Sequence, residues 1–307
     1  MTGDAGKTIV CIGGATVDRF YRASGALRPG TSNPVTSSRS FGGVARNVAE
    51  TLSRLGISAA LVSAVGADEN GRALKRDLAD VGVDISGVQE RAGATTAEYV
   101  ALVEPSGDLA LGLADMAIFD GLTPGALDAS TSLIESAALL FADCNLPAST
   151  LADLIARRRE GRLPTLAVDA VSVPKAGRLP ADLNGLDLLF LNQDEARAML
   201  GPDEGAAALL ARGVGTVVLT RGPLGATIAD REVVAELPAV PVGGVLDVTG
   251  AGDALVAATL MWIVQGHDPR TALQAGLAAA ALTLEHPGGV RPDLSSDLLE
   301  AALRRNP

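Results

Sequence analysis

Aromatic residues make up 3% of this 307-residue chain, with one Trp, two Tyr and five Phe. Basic residues are also short: 25 Lys and Arg stand against 36 Asp and Glu, a formal net charge of −11. Such a surface neither draws phosphate backbones nor offers rings for stacking bases, which argues against a nucleic-acid partner. A local pocket for a phosphorylated ligand stays open, because net charge describes the whole surface and not one site. The two cysteines, Cys11 and Cys144, sit in apolar runs without a Cys-x-x-Cys spacing. They read as buried, reduced thiols of a cytoplasmic protein. His267 and His286 are too little material for a zinc centre or a histidine relay. Met1 to Lys7 has no apolar signal core, and the longest apolar stretch, Ala254 to Val264, falls far short of the roughly 20 residues that span a bilayer. The chain is therefore expected to be soluble and cytoplasmic, with no membrane partner.

What is abundant is apolar and small. Hydrophobic residues account for 48% and glycine for 35 positions, enough for a sizeable core. Short apolar runs bounded by glycine alternate with helical patterns. Strands are predicted at Thr8–Ile12, Ala59–Val65, Leu139–Ala142, Thr165–Asp169, Leu186–Leu191 and Thr216–Thr220. Helices are predicted at Val44–Leu55, Gly71–Val81, Ala196–Leu200 and Ala254–Gln265. This alternation implies an α/β fold with a mainly parallel sheet covered on both faces. Ser32 to Ser40, and a hairpin over Thr95–Val103 and Leu109–Leu113 with a turn at Glu104–Asp108, break the pattern. They read as a small β-flap. The economical reading is one domain over 1–307, with lid segments near 15–41 and 95–113.

Five segments carry groups suited to chemistry. Asp247-Val248-Thr249-Gly250-Ala251-Gly252-Asp253 leads into an apolar helix. Glycines at a helix start let amides crowd an anion, and Asp253 in the first turn is placed to take a proton. An acidic residue there is also ordinary capping. The stretch is no Walker loop, since no Gly-Lys-Ser/Thr follows. Leu255, where a dinucleotide fingerprint needs its third glycine, speaks against an oxidoreductase. Asn192-Gln193-Asp194-Glu195 reads locally first as a capping box, with a water-mediated Mg²⁺ site at a strand end as the functional alternative. Phe41-Gly42-Gly43-Val44-Ala45-Arg46-Asn47 opens a helix, with Asn47 able to bridge two hydroxyls. Gly13-Gly14-Ala15-Thr16-Val17-Asp18 ends the first strand, and Asp18 is either a turn carboxylate or an acceptor for sugar hydroxyls. Thr220-Arg221-Gly222-Pro223-Leu224-Gly225 is either a plain hairpin turn or a nucleotide loop.

Together and in this order, these segments resemble the ribokinase-like (PfkB) family of carbohydrate and nucleoside kinases. The likeness runs from Ile9 to about Pro292. The resemblance implies a three-layer ribokinase-like fold with a β-flap lid, and ATP and Mg²⁺ as cofactors. By it, Asp253 is the catalytic base and Gly250, Ala251 and Gly252 form the anion hole. Asn192 and Glu195 organise Mg²⁺ through water; Thr220, Gly222 and Gly225, beside Asn192, form the nucleotide loop. Thr16, Asp18, Gly42, Gly43 and Asn47 bind the sugar. Asn145 falls where some members carry a sugar-binding carboxylate, so an amide there implies a different contact. Asp247 and Thr249 match part of a K⁺ site. Pairing of flaps implies a homodimer. Within the family, Asn33-Pro34-Val35, Gly42 to Glu50 and Ala114-Asp115-Met116 look most like pseudouridine kinases. That points to transfer of phosphate to the 5′-hydroxyl of pseudouridine, with Thr96 and Tyr99 of the flap as candidates to face the uracil. The alternatives are another kinase of the family acting on ribose or a different nucleoside, or a binding protein that has lost the chemistry.

Overall fold

A computed structural model describes residues 7–201 and 205–305. The chain opens with β1 (Ile9–Ile12), β2 (Thr16–Ala23) and β3 (Val35–Gly42), followed by α1 (Val44–Arg54), β4 (Ala59–Gly66), α2 (Glu69–Asp80), β5 (Asp84–Arg91) and the hairpin β6 (Glu98–Val103) and β7 (Leu109–Asp115). Two short helices, α3 (Pro124–Leu127) and α4 (Thr131–Glu135), lead to β8 (Leu139–Asp143), α5 (Ala148–Arg159), β9 (Thr165–Asp169) and α6 (Val173–Ala176). Then come β10 (Leu188–Asn192), α7 (Gln193–Leu200), α8 (Ala206–Ala211), β11 (Thr216–Thr220), β12 (Ala226–Ala229) and β13 (Val234–Leu237). Three helices, α9 (Ala251–Val264), α10 (Pro269–Leu284) and α11 (Ser296–Arg305), close the chain.

Nine strands form one sheet in the order β13-β12-β11-β10-β9-β8-β1-β4-β5. Pairing is parallel from β11 to β5, and the two antiparallel pairings, β11 with β12 and β12 with β13, lie at one edge. The alternation of side chains explains why both faces need cover. In β1, Ile9 and Cys11 point into a core shared with α1, α9 and α10, while Val10 and Ile12 point into a second core. Both cysteines are buried free thiols, as the sequence implied. No helix among the described residues is long and apolar enough to cross a membrane.

A second sheet, β3-β2-β6-β7, stands apart from the first. Its register puts Asp18 beside Ser40 and Tyr99, so these share one face. Phe20, Arg22, Ser38, Ser40 and Val103 of that face line a cleft of about 720 Å³ against the loop carrying Val245, Leu246, Asp247 and Val248. The opposite face leaves Leu111 and Leu113 more than half exposed.

Several boundaries differ from the sequence reading for local reasons. Helix α2 starts at Glu69 and not at Gly71, because Asp68 caps it by accepting from the Gly71 amide. The hairpin strand starts at Glu98, not Thr95, because Thr96 is tied to Asp68 before pairing begins. Strand β5 was not expected at all: its polar alternation is that of an edge strand, and its pairing with β4 supplies the order.

Candidate active site

The segments singled out above converge at the carboxyl ends of β1, β8, β9, β10 and β11. A residue the sequence reading missed holds the centre together. Asp143, the last residue of β8, is fully buried and accepts from the amides of Gly14 and Ala45, each at 2.9 Å, and of Asn145 at 2.9 Å. One carboxylate thus ties the turn after β1, the start of α1 and the loop after β8 to one point. Burial pushes its pKa up, and these hydrogen bonds oppose the shift.

Helix α1 begins at Gly43, whose φ of +95° belongs to glycine; a Cβ there would collide with the Gly14 carbonyl. A Cβ on Gly42 would collide with the Asp18 carboxylate. The paired glycines therefore let Asp18 of the small sheet lie directly against the helix start. Asp18 accepts from the Thr16 hydroxyl at 2.8 Å. Burial raises its pKa, against the Thr16 hydrogen bond and the Arg46 charge.

One turn into α1, Asn47 is 5% exposed and its Nδ2 donates to Asp253 Oδ2 at 2.7 Å. Asp253 lies in the first turn of α9, whose cap Gly250 is left-handed (φ +75°) and so close to the Gly289 carbonyl that a Cβ would collide. Asp253 as a residue is half-buried, and the protein around its carboxyl raises the pKa to about 7. Burial is the main cause; the Asn47 hydrogen bond and Arg46 lower it, while Asp143 and Asp18 raise it. Such a group is poised to accept a proton at neutral pH. Beside it, the free amides of a helix start offer an anion site.

Arg46, also missed, is 4% exposed. It donates to Asn47 Oδ1 at 3.0 Å and to Asp77 at 2.6 Å, and pairs with Glu50. It thereby fixes which end of the Asn47 amide faces Asp253.

At the next strand, Asn192 and Glu195 form a reciprocal capping box. Asn192 Oδ1 accepts from the amides of Asp194 and Glu195, and Glu195 accepts from the Asn192 amide and Nδ2 at 2.8 Å. The capping alternative is thus present in the structure. Glu195 is 5% exposed, and burial, against the Asn192 hydrogen bonds, raises its pKa. Asp169, the last residue of β9 and unremarked in the sequence, has its pKa pushed well up by burial and by the charges of Asp253, Glu195 and Asp143. The charges of Asp253, Glu195 and Asp143 thus all act on Asp169, a repulsion that a nearby cation would relieve. Among the described residues no group of three or more is placed to hold a metal ion. Carboxylate and amide oxygens are the kind of donor a hard cation takes.

Thr220 stands beside Asn192 in register. The turn after it is a true hairpin between β11 and β12, and Thr220, Gly222 and Gly225 also line a cleft of about 490 Å³. Ala251 and Gly252 form one end of that cleft and Leu255, Leu277 and Leu284 its floor. One turn thus serves the hairpin and borders the cleft. Asp247 accepts from the amides of Thr249 (2.9 Å) and Gly288 (3.0 Å). Burial alone would raise its pKa, but these bonds hold it below the usual range. Thr96 is 3% exposed; its hydroxyl donates to Asp68 and accepts from the Gly66 amide. These bonds tie the segment before β6 to the loop between β4 and α2.

The chain matches the pfkB family carbohydrate kinase description over residues 7–296. It belongs to the pfkB family. A pseudouridine kinase of Escherichia coli K12 is 30% identical over 297 residues, covering 94% of this chain and 93% of that protein. A fructoselysine 6-kinase of Shigella flexneri is also 30% identical, over 287 residues, with 92% and 99% covered. The structure of Arabidopsis thaliana ribokinase complexed with ribose and ATP superposes with a TM-score of 0.88 at 21% identity, with 97% and 98% covered. The pfkB fold here is thus ribokinase-like, and the activity class is a phosphotransferase.

Proposed function

We propose that this pfkB kinase transfers the γ-phosphoryl group of MgATP to the 5′-hydroxyl of pseudouridine, giving pseudouridine 5′-phosphate and ADP. The observation that carries the catalytic part is Asp253, held near neutrality by burial and aimed by Asn47 at the start of α9. In this reading Asp253 takes the hydroxyl proton as the new O–P bond forms and the bond to the β-phosphate breaks. The amides of Gly250, Ala251 and Gly252 hold the transferring group, and no covalent enzyme intermediate is needed. Asp18, Thr16, Gly42, Gly43 and Asn47 hold the ribose, with Asn145 further along the cleft. The apolar cleft at Thr220, Gly222 and Gly225 takes the adenine. Asn192 and Glu195 orient the waters of Mg²⁺, which neutralises phosphate charge. Asp247 and Thr249 flank a K⁺ ion.

The pseudouridine assignment rests on the motif strings and on the E. coli relative. The equal identity to a fructoselysine kinase keeps another sugar or nucleoside as the second reading. We further place the enzyme in the cytoplasm as a homodimer joined through the exposed Leu111–Leu113 face of the small sheet. The experiment is ADP release with MgATP against pseudouridine, uridine, adenosine, ribose and fructose, by wild type and by Asp253→Asn. Turnover highest on pseudouridine and lost in the variant supports the reading. A different preferred acceptor keeps the mechanism and replaces the substrate. No turnover and no ATP binding would overturn both.

A further inference from the structure

Lys175 has no place in the chemistry above, yet the chain is built to hold it at this site. Strand β9 ends at Asp169, and the next residues make a turn in which Val171 has φ +67°. A β-branched residue rarely adopts that conformation, and such strain collects where a segment must be placed for function. The turn is pinned by the Val171 amide on Asp169 Oδ1 at 2.7 Å and by the Ser172 amide on the Ala170 carbonyl at 2.7 Å. It delivers α6, and with it Lys175, whose Nζ donates to Asn145 Oδ1 at 2.5 Å.

Asn145 is itself rigid. It is 5% exposed, its amide is on Asp143, and Arg178 braces its carbonyl at 2.7 Å. No carboxylate lies within ion-pair distance of Lys175 among the described residues, although acidic residues outnumber basic ones in this chain. An ammonium carries three donors, and the amide of Asn145 takes one without neutralising the charge. A carboxylate at position 145 would cancel that charge; the amide leaves it for a ligand. Burial lowers the Lys175 pKa, Arg178 adds to the lowering, and the Asp143 charge opposes it.

Lys175 is tied to the site through Asn145, whose amide shares the Asp143 carboxylate with the amides of Gly14 and Ala45. Asp253 is held instead by Asn47, one turn into α1. We propose that Lys175, oriented by Asn145, is a specificity-determining residue that donates to an acceptor oxygen on the part of the substrate remote from the phosphorylated hydroxyl, namely a ring carbonyl of a nucleobase. This rests on the nucleoside-kinase reading.

The test compares two acceptors of one shape, pseudouridine and the phenyl C-riboside that lacks its ring oxygens, using wild type, Lys175→Met, Lys175→Arg and Asn145→Asp. The wild type is expected to favour pseudouridine in kcat/KM. Lys175→Met should collapse that preference at least tenfold, through KM for pseudouridine, with kcat changed less than threefold. Asn145→Asp should move the ratio the same way by forming an ion pair, and Lys175→Arg should restore part of it. Equal losses on both acceptors would make Lys175 structural, and an unchanged ratio would remove it from the site; either overturns the inference while the kinase reading stands. A wild type that phosphorylates a simple sugar and neither riboside overturns the nucleoside reading and the inference with it. Thermal unfolding of each variant separates misfolding from lost recognition, and Asn145→Asp carries the test should Lys175→Met fail to fold.

Discussion

Asn47 Nδ2 and Asp253 Oδ2 lie 2.7 Å apart, although 206 positions separate them in the chain. The contact joins the starts of α1 and α9, so two helix N-termini meet at one carboxylate. Asparagine donates without adding charge, so it aims the carboxylate and still leaves it with a pKa of about 7. A lysine in its place would hold the group ionised but far less basic.

That balance has an opposite effect on stability. The folded pKa of Asp253, about 7, lies above its ordinary value of 3.8. The unfolded chain therefore releases this proton first as pH rises, and the group's contribution destabilises the fold progressively from about pH 4 to pH 7, then levels off. Asp253→Asn removes the base and the penalty together. It should lose roughly three orders of magnitude in kcat while melting a few degrees higher than wild type at pH 8, with no such gain at pH 4. Differential scanning calorimetry at both pH values checks this; an active variant would remove Asp253 from the chemistry.

The same pKa should set the acid limb of the rate. The base proposed here, Asp253, can act only when ionised, so kcat/KM should fall as pH drops below about 7, with a slope of one proton. Asn47→Leu deletes a hydrogen bond that lowers this pKa, so the limb should move to higher pH as KM for the sugar rises. A pH profile that stays in place would separate Asn47 from the base.

Arg46 acts on Asp253 through Asn47 and by its charge. Arg46→Met frees the Asn47 amide to rotate and takes away the cation that lowers the pKa of Asp253 and Asp18. The acid limb should again shift upward, with kcat reduced. Glu50 is 4% exposed and would lose a partner, though Arg54 still reaches it. The cost should stay below the about 3–5 kcal/mol of a fully broken buried pair. Asp77→Ala is a milder control: it removes the outer contact of Arg46 alone and should leave the limb within a few tenths of a pH unit.

The motifs were legible in the sequence because each is local: paired glycines before a helix, an acidic residue in a first turn, Asn and Glu three apart at a strand end. Asp143, Asp169, Arg46 and Lys175 were not, because nothing beside them in the chain reveals what they touch. Asp143 meets Gly14 at a separation of 129 positions and Ala45 at 98. Only strand order brings those partners together. A carboxylate that closes an apolar strand, as in Asp143 and Asp169, was the available signal, since such a group is costly to bury unless something holds it. Thr96 shows the reverse limit: its place beside the flap suggested a ligand contact, and sequence could not reveal that its hydroxyl bonds Asp68.

Glu195→Gln tests two roles at once, because the capping box is present whatever the ion does. The glutamine keeps a side-chain acceptor for the Asn192 amide, so helix α7 should lose less than the about 0.5–2 kcal/mol of a removed cap. A role in orienting Mg²⁺ waters depends on the negative charge itself. The Mg²⁺ concentration for half-maximal rate should therefore rise severalfold with Tm nearly unchanged. A lower Tm with an unaltered Mg²⁺ titration would leave Glu195 to the cap alone.

The exposed face of the small sheet gives the last prediction. Leu111 and Leu113 point to one side of β7, opposite Leu102 and Val100 of β6, and are 51% and 54% exposed. A row of leucines on an edge strand is a poor surface to leave in water. Burying it against a second copy removes the apolar area and steadies the sheet that carries Asp18. Leu111→Asp with Leu113→Asp puts like charges on the symmetric face, so light scattering should report a dimer for wild type and a monomer for the double variant. The monomer should still bind ATP, whose cleft lies on the main sheet, but KM for the sugar should rise because Asp18 stands on the loosened one. A monomeric wild type would overturn the assembly, and a monomeric variant with unaltered sugar KM would uncouple it from the site.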